Sequence, residues 1–129
     1  MKKRFILSVI ILLILNAAKA QQVNIDSLKN EFLSSKNDTI QLILAGKLAN
    51  TYSEINPDSA YYYAGKMLAI SKDHHFRIEE VAALNEMGYA LLNMGNYPRS
   101  LQTLLSAISI AKDPASEKKY IAKSFPAFG

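Results

Sequence analysis

Two histidines stand side by side in this chain, His74 and His75, and three tyrosines run together as Tyr61, Tyr62 and Tyr63. An imidazole pair could hold a metal or move a proton, and a tyrosine run could stack on bases or sugars. The spacing argues against both. Adjacent residues do not readily face one metal, and no third ligand follows at i+4, so Lys72-Asp73-His74-His75 reads as a solvated turn. On a helix, three consecutive residues span about 200°, so at least one tyrosine must point inward. Tyr61, which shares its repeat position with Leu101, is the expected core member. Glu79, Glu80 and Glu86 read as a solvated helix face, with no partner carboxylate at a spacing suited to acid–base work. The chain has no GxxxxGK[ST], HExxH or GxSxG segment, and Asp73 to Glu80 lacks the residues that follow a phosphoacceptor histidine. Cysteine is absent, which excludes disulfides, thiolate nucleophiles and cysteine-containing zinc sites. The expectation is a protein without catalytic residues, metal or cofactor.

The elements that carry these residues begin with a leader. Lys2, Lys3 and Arg4 precede Phe5 to Leu15, an apolar run of eleven, and Ala18-Lys19-Ala20 supplies a small-x-small cleavage pattern. These are the three parts of a secretory signal peptide, residues 1–20. The run falls short of the roughly 20 residues of a membrane span, which makes an uncleaved anchor the lesser alternative. Gln21, not cysteine, follows the cut, so a lipoprotein anchor is not expected. The formal charge of the whole chain is +4. Lys2, Lys3, Arg4 and Lys19 leave with the leader, and 11 basic against 11 acidic residues then give zero. The basic balance is a targeting feature and implies no nucleic-acid partner.

The remainder reads as all-α. Ile25, Leu28 and Phe32 recur at helical spacing in a leading helix, residues 21–37, with Asp38 as cap for the next. Leu42, Ala45, Leu48, Ala49 and Tyr52 mark one face of a helix over 39–54. Asn56-Pro57 is a cap followed by a first-turn proline, opening a helix to about Lys72 with Ala60, Tyr61, Ala64 and Leu68 aligned. A helix over 76–94 carries Val81, Leu84, Met87, Gly88 and Leu91 on one side. Gly95-Asn96 stops it and caps a last helix over 97–112, with Tyr97, Leu101, Leu104, Leu105, Ile108 and Ala111 in register. A shift of about 39 to 40 residues superposes the two helix pairs: Ala49 falls on Gly88, Ala60 on Ser100 and Met67 on Ala107. Gly88 costs about 1 kcal/mol in a helix interior relative to alanine, and its place in the repeat marks it as a close-approach position. Gly95 is a turn residue.

This pattern resembles the tetratricopeptide repeat. That family's large-large-small-large first helix falls on Leu84, Met87, Gly88 and Leu91, and its small-large-small second helix on Ser100, Leu104 and Ala107, with the turn at Gly95-Asn96-Tyr97. The departures are Leu84 in place of a frequent tryptophan, a proline two places late at Pro114, and a repeat longer than the usual 34 residues. The resemblance implies a tetratricopeptide-like α-solenoid of antiparallel helix pairs, with one unit at 38–75, a second at 76–114 and an incomplete third at 115–129. It also implies a concave surface that binds a protein or peptide. In the second unit that surface carries Ala82, Asn85, Tyr89, Leu92 and Asn93, and in the first Ile43, Gly46, Asn50, Ser53 and Glu54. Asn50, Glu54, Asn85, Tyr89 and Asn93 are the candidate contacts. The basic carboxylate clamp of some members is not evident.

A leader, a short helix and long repeats with NPDSAYYYA (Asn56 to Ala64) are similar to the extracytoplasmic sensor regions of Bacteroidetes-type two-component kinases and regulators. The implied function is a non-enzymatic, periplasmic protein-binding module at the front of a longer signalling protein. The alternatives are the N-terminal fragment of a sensor histidine kinase whose catalytic part is missing, and a periplasmic assembly scaffold. Membrane contact is expected only through an uncleaved leader or a span further downstream.

Overall fold

A computed structural model of the chain describes residues 2–112. Five helices appear among them: α1 (Lys2–Ser34), α2 (Asp38–Tyr52), α3 (Pro57–Asp73), α4 (Arg77–Asn93) and α5 (Tyr97–Ala111). The described residues form no strand. Each helix packs on its neighbour in sequence; beyond that, α2 approaches α4, and a single side-chain bond links α3 to α5. This is the contact pattern of a solenoid of antiparallel helix pairs. The expected third unit, at 115–129, and Pro114 lie outside the described residues.

Side-chain caps and turn residues set the helix boundaries. Asn37, Asn56 and Asn96 each accept a bond from a backbone N–H three residues on, from Ile40 at 3.0 Å, Ser59 at 3.1 Å and Arg99 at 3.4 Å. Asp38, expected as the cap of α2, is instead its first residue. Asn37 takes the cap, and the Asp38 carboxylate pairs with His74 Nε2 at 2.8 Å. α3 and α4 both end with a residue in the left-handed region, His75 at φ +56° and Gly95 at φ +78°. In each turn the next N–H reaches back five residues, Phe76 to Ser71 O at 2.8 Å and Asn96 to Leu91 O at 2.9 Å, which satisfies a carbonyl the helix end leaves open. The leading helix does not start afresh near residue 21. It continues α1, one helix from Lys2 to Ser34.

Two apolar clusters hold the helices. The first joins Phe32, Leu44, Ala45, Leu48, Ala49, Tyr63 and Ala64, with Leu28, Tyr52, Met67 and Met87 against it. The second joins Val81, Leu84, Ala107 and Ala111, with Leu68, Ile78 and Ile110 around it. Small residues sit at the crossings: Ala49, Ala60 and Ala107 are buried, and so is Gly88. A Cβ built on Gly88 would lie 2.5 Å from Leu104 Cδ2 and 2.6 Å from its Cγ, and the Ser100 hydroxyl donates to Gly88 O at 2.7 Å. The α4–α5 crossing is therefore closer than alanine allows.

The α5 register differs from the sequence expectation. Ser100, Ala107 and Ala111 form its buried side, whereas Tyr97, Leu101, Leu105 and Ile108 face outward, Leu101 at 61% and Ile108 at 38% exposure. Their periodicity is helical, but they lie on the side away from α4.

Gly88→Ala is expected to destabilise the fold by about 1–2 kcal/mol, the overpacking cost less the gain in helix propensity. In a Leu104→Ala background the same change should turn stabilising, and denaturant unfolding of the four variants reads that reversal of sign. At His75, glycine removes a left-handed strain of about 1–2 kcal/mol but adds freedom to the unfolded chain. His75→Gly should therefore raise stability by about 0.5 kcal/mol net, read as a higher denaturation midpoint.

Candidate protein-interaction groove

α2 and α4 lie alongside each other in the same direction. Their N-terminal residues Thr39 and Glu79 line one cleft, while Asn93, at the end of α4, donates from Nδ2 to Ser53 O at 2.9 Å just past the end of α2. That bond sets a register of forty residues between the two helices. In the N-terminal half they leave a groove of about 380 Å³, walled by Leu42, Ile43 and Gly46 on one side and by Glu79 and Ala82 on the other. Met67 from α3 and Phe76 from the following turn also line it. A Cβ on Gly46 would meet Met67 Sδ at 3.5 Å, an ordinary contact. A second, more polar cleft lies at the C-terminal end, between Ser53, Glu54, Pro57 and Asn93.

The candidate contacts distribute unevenly over this surface. Asn50 is exposed on α2, Tyr89 is exposed on α4, and Glu54 and Asn93 share the polar cleft. Asn85 is not on the surface. It is 3% exposed, one turn from Val81 and from Gly88 on the side of α4 that α5 covers, where Val81 packs with Ala107 and Ala111. Among the repeat residues, Ala49, Ala60, Leu84, Gly88 and Ala107 are buried at helix contacts, Gly95 is the positive-φ turn residue, and Tyr97 is exposed.

Glu86 lines neither cleft, but it lies on the α4 stripe that joins them, where sequence reading expected only a solvated face. Ala82, Glu86, Tyr89 and Asn93 fall at i, i+4, i+7 and i+11, one stripe of α4. Ala82 lines the apolar groove and Asn93 the polar cleft, so Glu86 stands between them, and in the register of forty it lies across from Gly46. It is half-buried rather than fully solvated, and burial holds its carboxyl above the ordinary glutamate range. Among the described residues, none forms a hydrogen bond or ion pair with it. The stripe spacing was the available signal. The groove's floor, Met67 and Phe76, comes from outside both walls and has no signature in either wall's sequence.

The residues that first suggested chemistry are structural. Tyr63, not Tyr61, is the core tyrosine: its ring meets Phe32 edge-on at 5.6 Å and stacks parallel to Tyr52 at 5.8 Å. Burial, with Tyr52 and Tyr62 adding to it, keeps the Tyr63 phenol above its ordinary value. Tyr62 is exposed beside Lys66, and Tyr61 accepts a bond from Arg99 Nη2 at 3.1 Å, tying α3 to α5. His74 stacks on Phe76 and bridges to Asp38, while His75 forms the left-handed turn. No cluster of three or more potential metal ligands occurs among the described residues.

A family model described as the SusR N-terminal TPR domain matches residues 16–123. The chain belongs to this family. No curated protein and no solved structure matches it. Tetratricopeptide domains generally mediate protein binding, which marks this chain as a protein-interaction module. The match begins at residue 16, after the apolar run Phe5 to Leu15, whose larger side chains are exposed along α1. No helix among the described residues is long and apolar enough to cross a membrane.

The raised Glu86 pKa has a definite sign in stability. The folded chain holds this proton more tightly than the unfolded chain, so the contribution is full below the ordinary glutamate range and is lost as pH rises through the raised value. Glu86→Gln should therefore melt higher than the parent at pH 7, and the gap should close toward pH 3.5. A scan of Tm against pH for both proteins measures it.

Proposed function

We propose that the chain is an exported, non-enzymatic adaptor that binds a segment of another protein along the groove between α2 and α4. The carrying observation is the groove itself, apolar at one end and polar at the other, on a fold whose family acts through protein contacts. Its length suits an extended segment. From Thr39 to Ser53 the α2 wall rises about 21 Å, which corresponds to about six residues of extended chain. Asn50, Glu54, Tyr89 and Asn93 supply hydrogen-bonding groups along the way.

Export is supported by the three-part leader at 1–20 and by a family match that starts beyond its apolar run. Placement at the sensory front of a longer signalling protein rests on the resemblance of leader and repeats to extracytoplasmic sensor regions. In that arrangement a bound partner would bias the relative angle of the helix pairs, and the output would lie elsewhere in the parent protein. Periplasmic assembly without signalling is the alternative, in which the same groove holds a structural partner.

The protein recovered from its own cell's envelope fraction should begin at Gln21, read by N-terminal sequencing together with intact mass. A chain still beginning at Met1 would overturn cleavage and favour an anchored leader. A mass well above that of residues 21–129 would assign the module to a longer protein.

A further inference from the structure

The groove has a chemical polarity that selects among possible partners. Resting on the reading of this groove as the partner surface, we propose that its occupant is an extended protein segment with an apolar side chain and, two residues away, a lysine or arginine. The apolar residue seats over Met67 between Ile43 and Ala82, and the cation meets the Glu86 carboxylate.

The spacing supports that pairing. Ala82 and Glu86 are four helical residues apart, a rise of about 6 Å. In an extended chain, residues i and i+2 point the same way and lie about 6.6 Å apart. A segment running along α4 thus brings alternate side chains to both features. Gly46, across from Glu86, presents no side chain that would obstruct the approach.

Charge narrows the choice further. Glu79 lines the α4 wall and Glu54 the polar cleft, and Glu86 falls between them on the same α4 stripe, against the exposed Lys47 on α2. Lys47 forms no ion pair with Glu86. A half-buried carboxylate without a cation is costly for a fold to keep, and a cation brought by a partner relieves that cost. An acidic segment would add like charge to the same wall.

The test is selection of a displayed library of random decapeptides on the full chain, followed by affinity measurement on the enriched peptides. The expected enrichment is an apolar residue with Lys or Arg two positions away. Glu86→Gln should weaken those peptides roughly tenfold or more, the scale of a lost charge-assisted bond. Glu86→Lys should shift the enrichment at that position to Asp or Glu, and Ile43→Asp should remove the apolar preference. Thermal melts of each variant confirm that it is folded. Peptides that bind in competition with one another yet keep their affinity in Glu86→Gln would overturn this inference and leave the groove reading standing. No enrichment on the parent chain would overturn both. A dimer in light scattering that Ile43→Asp dissociates would seat a second copy in the groove and likewise overturn the proposal.

Discussion

The closeness of the α4–α5 crossing is the constraint on which the rest of the second unit depends. Gly88 meets the branched end of Leu104 with no room for a methyl group, and Ser100 bonds back to the Gly88 carbonyl. That approach orients α4: Val81 and Leu84 turn toward α5, and Met87 toward the first cluster. What remains open is the stripe Ala82, Glu86, Tyr89 and Asn93. In the first unit alanine suffices at the equivalent place, since Ala49 is fully buried against its neighbours. Small residues thus have opposite consequences in two places. At Gly88 a leucine from the facing helix fills the space. At Gly46 and Ala82 no large side chain stands between α2 and α4, and the space persists as a groove above Met67.

The turns between helices reinforce this arrangement with local chemistry. Asparagine caps three of the helices, and proline follows two of those caps inside the first turn. α4 lacks such a cap. Its start is secured by the Phe76 N–H bond to Ser71, by the Glu80 N–H bond to Phe76 O at 2.9 Å, and by Glu79 and Glu80 at the positive end of the helix dipole. The His74–Asp38 pair closes the same corner, linking the end of α3 to the start of α2. It is exposed, and a pair of that kind contributes at most about 1 kcal/mol. Its consequence is positional, because it joins the two ends that bring Thr39 and Phe76 to the lining of the apolar groove.

Much of this fold was legible in the sequence where the determinant is local. Asn56-Pro57 and Gly95-Asn96 name their helix ends through cap geometry and a left-handed glycine, and both lie where that chemistry requires. Helical periodicity identified α2 to α5, but not which partner covers each side. Tyr61 and Tyr63 flank the same stripe of Ala60 and Ala64, and only packing against Phe32 and Tyr52 places Tyr63 in the core. Asn85 was assigned to the groove by the family pattern, yet the α4–α5 approach buries it. Ile43, Gly46 and Ala82 were legible as groove residues through the same pattern. Met67 and Phe76 were not, because a floor contributed by a third element leaves no periodic trace in the walls. Glu86 was legible only as part of a stripe, and a carboxylate on a helix reads as solvent-facing until its neighbours are known.

The outward side of α5 shows why exposure alone does not define a site. Leu68 in the first unit and Ile108 in the second occupy equivalent positions in the repeat. Leu68 packs against the cluster of Val81, Leu84, Ala107 and Ala111, whereas Ile108 has no such cover among the described residues. A residue of the same class thus recurs at this place in each unit, as expected when each unit is built to stack on another. The groove between α2 and α4 differs in kind. It is bounded on two sides, its floor is supplied by a third helix, and the half-buried Glu86 carboxylate follows Ala82 by one turn on the same stripe of α4. In the proposed binding role, shape limits what can enter, and charge limits which of those entrants is stable. Discrimination between partners requires both terms together.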